Sequence, residues 1–135
     1  MIKKLSHVGI AVKDLEASVQ LFSKLFSIQN VENEVIEDQK VKVAFFRIDG
    51  TSVELTAAVT PDSVIAKFIQ KHGEGVHHLS FEVDDIRAEL SRLRAEGFQL
   101  IDEEPRRGAG GYLIAFLHPK STNGVLIEIS QKLKS

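Results

Sequence analysis

One short pattern occurs twice in this chain, and it constrains the fold more than any other feature. The first copy is Leu5-Ser6-His7-Val8-Gly9-Ile10-Ala11-Val12-Lys13-Asp14-Leu15, and the second is Val76-His77-His78-Leu79-Ser80-Phe81-Glu82-Val83-Asp84-Asp85-Ile86. At a constant offset of 71 residues, His7 meets His78, Val12 meets Val83, Asp14 meets Asp85 and Ala17 meets Ala88, with Leu15 matched conservatively by Ile86. Each copy reads as a strand running into a capped helix, and the histidine is the one polar residue preserved at the strand's start. A repeat of about half the 135 residues implies two small modules sharing one core, because neither could bury its apolar face alone.

Strand alternation sorts the side chains of both copies. In the first strand Val8, Ile10 and Val12 make one apolar face, with Leu5, His7, Gly9 and Ala11 on the other. Asp14 can cap a helix whose stripe is Leu15, Val19, Phe22 and Phe26. Residues 30–37 form a weaker extended segment, and Glu37-Asp38-Gln39-Lys40 suits a turn. Residues 41–48 and 52–57 then read as a hairpin turning at Asp49-Gly50. In its second strand Val53, Leu55 and Ala57 face one way, and Ser52, Glu54 and Thr56 the other. Thr60 followed by Pro61 is expected to open a linking helix carrying Ile65, Phe68 and Ile69 and ended by Gly73.

The second half repeats the plan. Leu79, Phe81 and Val83 face the core, with Val76, His78, Ser80 and Glu82 opposite. Asp84 or Asp85 caps a helix bearing Ile86, Leu90 and Leu93 and closed by Gly97. A short strand is expected from Phe98 to Ile101, then a glycine-rich turn over 106–111, a strand from Tyr112 to Leu117, and a last strand in which Val125, Ile127 and Ile129 face the core and Glu128 does not. Each half is therefore βαβββ. The expected fold is α+β: two tandem modules forming one curved mixed sheet around a metal cleft, with the helices outside. The single domain divides into module 1 at about 1–59, a linking helix at about 60–73 and module 2 at about 74–135.

The repeat also pairs the carboxylates. Glu54 and Glu128 each sit inside an apolar-Glu-apolar triplet of a last strand, Val53-Glu54-Leu55 and Ile127-Glu128-Ile129. Their offset is 74, and the loop at 118–124 can absorb the three extra residues. A glutamate on a half-exposed strand is ordinarily just solvated, and a lone strand histidine is ordinarily a hydrogen-bonded structural one. Solvation, however, does not require the same residue type at the same place twice. If the halves pair about a pseudo-twofold axis, His7, Glu54, His78 and Glu128 converge as a nitrogen and oxygen ligand set suited to a divalent Zn, Co, Ni or Mn ion. Alternation sends His77 to the helix side and excludes it; His72 lies at a helix end and His118 in a loop.

Composition narrows the class. The chain has no cysteine, so disulfides and thiolate ligands are excluded and any metal must sit on nitrogen and oxygen. A net charge of -2 gives no reason to expect nucleic acid or an anionic membrane as partner. No apolar run approaches the length that spans a bilayer, and the first strand begins at once, with no signal-peptide pattern ahead of it. A cytoplasmic enzyme or binding domain is the expectation.

The chain resembles the vicinal oxygen chelate superfamily, and within it the methylmalonyl-CoA epimerase family. The segments that carry the likeness are His7-Val8-Gly9-Ile10-Ala11-Val12, Ile65-Ala66-Lys67-Phe68, Gly73-Glu74-Gly75-Val76-His77-His78, Asp102-Glu103-Glu104-Pro105, Gly108-Ala109-Gly110-Gly111, and His118-Pro119-Lys120-Ser121 followed by Gly124-Val125-Leu126-Ile127-Glu128. The resemblance implies epimerisation of an acyl-CoA substrate by removal of its α-proton, through a metal-stabilised enolate. It implies metal ligands at His7, His78 and Glu128, with Glu54 where some members have glutamine. Glu128 would serve as both ligand and base, and Glu54 is the candidate for the second catalytic carboxylate. In a bacterial member that second carboxylate is a glutamate at the position of Val43, which cannot move a proton. The glycines Gly110 and Gly111, with Lys120 and Ser121, are candidates to hold CoA phosphates; the plain alternative is a hairpin turn and a solvated lysine. A homodimer is implied by the resemblance alone. Glyoxalase I, with a matching ligand set, is the runner-up. A ring-cleaving dioxygenase would use two histidines and one carboxylate on iron, and a non-catalytic drug-binding protein would not need four ligands.

Overall fold

A computed structural model describes residues 1–133; the last two residues of the second sequence module lie outside the described residues. Three α-helices accompany an eight-stranded mixed sheet, the α+β arrangement that the repeat implies. In chain order the elements are β1 (Ile2–Ala11), α1 (Leu15–Phe26), β2 (Glu32–Ile36), β3 (Val41–Ile48), β4 (Thr51–Ala58), α2 (Val64–His72), β5 (Gly75–Val83), α3 (Ile86–Ala95), β6 (Arg106–Arg107), β7 (Tyr112–Leu117) and β8 (Ile127–Lys132). The strands hydrogen-bond in the order β2-β3-β4-β1-β5-β8-β7-β6.

Two compact units can be distinguished, and they do not follow the sequence halves. One is Val8–His77; the other joins Met1–His7 to the chain from His78 onward. The first seven residues leave their own module because β1 lies beside β5 in the sheet, so strand pairing outweighs neighbourhood along the chain.

In the Val8–His77 unit, α1 packs on β3 and β4. Asp14 caps it as the sequence implies, its carboxylate accepting from Ala17 N at 3.1 Å. Val12, Ala44, Phe46, Leu55 and Ala57 form the buried core, against which Leu15, Val19, Phe22 and Phe26 pack as the expected stripe. The β3–β4 hairpin turns at Asp49 and Gly50, whose φ angles of 43° and 84° are both positive, as a two-residue turn matching the right-handed strand twist requires. One expectation fails here. Thr60-Pro61 does not open α2: the cap is Ser63, whose hydroxyl accepts from Ala66 N at 3.1 Å. The Thr60 hydroxyl instead donates to Asp62 at 2.6 Å, so these residues close a turn among themselves before the helix starts.

In the other unit, α3 packs against β8, and Val83, Ile86, Leu90, Leu93, Ala115, Leu117 and Ile129 form the core. Asp85, rather than Asp84, is the cap. β5 and β8 pair in parallel with Ser80 opposite Glu128, while β7 pairs antiparallel with β8 and places Phe116 opposite Glu128. The strand expected over residues 98–101 reduces to a single bridge between Leu100 and Leu117. The strand lies instead in the segment read as a turn, where Arg106 and Arg107 pair with Ile114 and Leu113. Gly108 explains the change: a Cβ there would come within 2.7 Å of the Ile114 side chain, so glycine lets the backbone close on β7.

Two substitutions test this account. Leu55→Ala, at a fully buried core position, should cost about 3 kcal/mol in urea unfolding. Ser63→Ala should cost about 1 kcal/mol and Thr60→Ala clearly less, the reverse of what a Thr60 cap would give.

Candidate metal centre and active site

Three of the four repeat-derived ligands meet in one unit. β1 presents His7, β5 presents His78 and β8 presents Glu128, and their donor atoms all lie within 4.8 Å of one another. The Nε2 atoms of the two imidazoles are 3.0 Å apart, with the rings edge-on at an interplanar angle of 87°. Glu128 stands against both: Oε2 is 3.4 Å from His7 Nε2, and Oε1 is 3.7 Å from His78 Nε2. His7 and Glu128 are buried, at 8% and 3% exposure. On β5 and β8 the opposite face is apolar and packs in the core with α3, and a side-chain period of two leaves every second residue here.

Burial pushes the His7 imidazolium down to about 4, so the ring is neutral at neutral pH. A neutral imidazole carries a free lone pair on one ring nitrogen, the form that binds a metal ion. The His7–His78 contact is a nitrogen–nitrogen approach that one shared proton, or a cation, must bridge. Two imidazoles and one carboxylate form a donor set that fits Zn, Co, Ni or Mn and leaves further positions for water or substrate.

Glu54 lies on β4 in the other unit. Its carboxyl is buried, and the Ser52 hydroxyl donates to Oε2 at 3.0 Å. Burial raises its pKa to about 7; the Glu34 charge raises it too, while the Ser52 hydrogen bond and the Arg47 charge pull it down. Val43 sits on β3 between Glu34 and Thr56 in register, buried and without a proton to give. His77 packs edge-on against Phe68, with ring centroids 4.9 Å apart, as a helix-side residue should.

The phosphate candidates occupy two short turns. Lys120 is exposed, and its backbone N–H donates to His118 Nδ1 at 3.1 Å. The Ser121 hydroxyl accepts from Gln99 N at 3.0 Å, which leaves its own proton to donate. Gly110 and Gly111, both exposed, take φ angles of 70° and 78° in the turn before β7.

The sequence reading missed Phe116. Its ring meets the His78 ring edge-on with centroids 5.6 Å apart, and it also carries the Arg106 guanidinium, with Cζ 5.8 Å from the ring centroid. The signal was present: Phe116 is the cross-strand partner of Glu128, and opposite residues in a sheet share a face. Ser80 lies on the same face of β5 as His78, and its hydroxyl is fully buried and makes no hydrogen bond among the described residues.

A domain of this topology with such a centre falls in a known group. Residues 6–116 match the family profile described as the Glyoxalase/Bleomycin resistance protein/Dioxygenase superfamily, and the chain belongs to it. The ethylmalonyl-CoA/methylmalonyl-CoA epimerase of Cereibacter sphaeroides is 38% identical over 97% of this chain and 99% of its own length. The solved structure of a Streptomyces coelicolor methylmalonyl-CoA epimerase variant in complex with 2-nitronate-propionyl-CoA is 36% identical, with a TM-score of 0.93 over 98% of this chain and 96% of that one. A methylmalonyl-CoA epimerase solved in complex with methylmalonyl-CoA and NH4+ has the same identity, score and coverage. Within the superfamily, then, the chain is a member of the methylmalonyl-CoA epimerase family, a family of isomerases.

The Glu54 environment makes a pH prediction for metal-free protein. Below about pH 4.5 the carboxyl is protonated whether the chain is folded or not. As pH rises towards 7, only the unfolded chain ionises it, and stability is lost. Relative to wild type, Glu54→Gln should therefore gain about 3 kcal/mol between pH 4.5 and 7, then level off. Urea unfolding in chelator across that range measures it; a flat difference would mean an ordinary glutamate.

Proposed function

We propose that the chain catalyses metal-dependent epimerisation of methylmalonyl-CoA, with His7, His78 and Glu128 holding a divalent ion and Glu54 completing the ligand set. The observation that carries the reading is the convergence of two imidazoles and a carboxylate within 4.8 Å, in a chain whose relatives are methylmalonyl-CoA epimerases. When bound, the ion supplies Lewis acidity to the thioester carbonyl oxygen of the substrate. The carbon between a thioester and a carboxylate is acidic, but not acidic enough to lose its proton unaided at neutral pH.

Inverting that carbon requires proton removal on one face and proton return on the other. Glu128 is assigned the removal. Its carboxylate is buried beside neutral His7, a setting that gives it no strong water shell to shed. Glu54 is assigned the return, as the buried carboxyl that the repeat pairs with Glu128. Val43 leaves this second task open on β3, and Glu54 on β4 is the buried carboxyl that can take it. Lys120, the Ser121 hydroxyl and the backbone N–H groups of Gly110 and Gly111 are assigned to the CoA phosphates. A homodimer in the cytoplasm belongs to the same proposal; among the described residues no helix is long and apolar enough to cross a membrane.

The test is exchange of the α-proton of methylmalonyl-CoA with deuterated solvent after metal reconstitution, run beside a hemithioacetal isomerisation assay. Exchange without hemithioacetal turnover is expected, and the opposite result would make the protein a glyoxalase. Glu128→Gln should lower the exchange rate by about a hundredfold or more. His78→Ala should lower metal affinity at least tenfold, read by competition with a chromogenic chelator; full metal content in that variant would overturn the ligand assignment.

A further inference from the structure

Arg106 is a cation of this unit that the proposed chemistry leaves unused and that register places beside the proposed site. Its β6 partner is Ile114, which shares a face of β7 with Phe116, two residues on; Phe116 in turn is opposite Glu128. Cross-strand register therefore sets Arg106 on the same face as the metal-binding carboxylate. Phe116 links its guanidinium to His78, with Arg106 Cζ 5.8 Å from the Phe116 ring centroid and the His78 ring centroid 5.6 Å from it.

The base of the Arg106 side chain is anchored and its tip is not. Asp102 holds the strand by accepting from Phe116 N at 2.9 Å through Oδ2, while its Oδ1 lies 3.3 Å from Arg106 Nε. Nε is buried yet makes no hydrogen bond, and among the described residues Asp102 is the one carboxylate recorded against this guanidinium. The side chain is 41% exposed, so its terminal nitrogens are open to a ligand. The other arginines differ. Arg87, Arg92 and Arg94 face the carboxylates of Glu104, Glu89 and Glu103, and alternation turns Arg107 to the opposite face from Arg106.

We propose that Arg106 recognises the free carboxylate on the acyl portion of the substrate and so sets the site's preference for a carboxylated acyl thioester. A planar guanidinium presents paired N–H donors that match a carboxylate in a two-pronged bond, and stacking on Phe116 holds the plane without using those donors. This rests on the function proposed above and adds the residue that selects the substrate class. A phosphate of the CoA portion offers similar acceptors, so the experiment must separate the two anions.

The experiment is calorimetric binding of malonyl-CoA, propionyl-CoA and CoA to metal-loaded wild type, Arg106→Ala and Arg106→Lys, with metal content and melting temperature checked for each protein. Arg106→Ala should weaken malonyl-CoA roughly 10- to 100-fold and the other two less than about threefold, with Arg106→Lys recovering only part. Equal losses for all three ligands would assign Arg106 to a phosphate and overturn the proposal, as would unchanged binding of malonyl-CoA. Wild type that fails to bind malonyl-CoA at all would instead sink the functional reading, and this inference with it.

Discussion

Two imidazole nitrogens 3.0 Å apart, with a carboxylate beside them, set the terms for the unit that holds them. Lone pairs that close repel unless something positive lies between them. The contact therefore needs a shared proton or a cation, and it needs walls stiff enough to keep the rings from swinging apart. Three strands provide those walls, each delivering one donor. The apolar faces of β5 and β8 are committed to the core with α3, so neither can slip by one residue without burying its histidine or glutamate among Leu90 and Leu93. Register and chemistry constrain each other.

Burial sets the electrostatics in the same way on both halves of the repeat. His7 is pushed towards its neutral form and Glu54 towards its protonated form, and in each the first cause is removal from water. The polar faces of β4, β5 and β8 are unusual for strands of a small domain in being both polar and buried, with Ser52, Ser80 and Ser130 among the buried residues. Such a face is costly unless it binds something, and the unpartnered hydroxyl of Ser80 opposite Glu128 is one sign of that cost.

The glycine-rich segment illustrates how one composition can serve different ends. Gly108 is required by close approach to Ile114, whereas Gly110 and Gly111 are required by backbone conformation, with φ on the left-handed side. A turn signal alone merges these roles. The same merging hid β6, because Arg106 and Arg107 look like part of a turn until their partners on β7 are known.

Local periodicity and repetition were enough to determine the βαβββ plan, the helix cap at Asp14, and the pairing of His7 with His78 and of Glu54 with Glu128 along the chain. These depend on spacings of two and of three to four residues, which the chain carries in itself. Helix α2 was legible but its cap was not, since Thr60 and Ser63 are both good caps and the hydroxyl that accepts from the helix is that of Ser63. Tertiary structure alone decided that residues 1–7 group with the second half, that Phe116 touches both Arg106 and His78, and that Asp102 ties Arg106 to β7. Those facts depend on which strands become neighbours. Strand order is settled by long-range pairing, about which spacing along a single chain is silent.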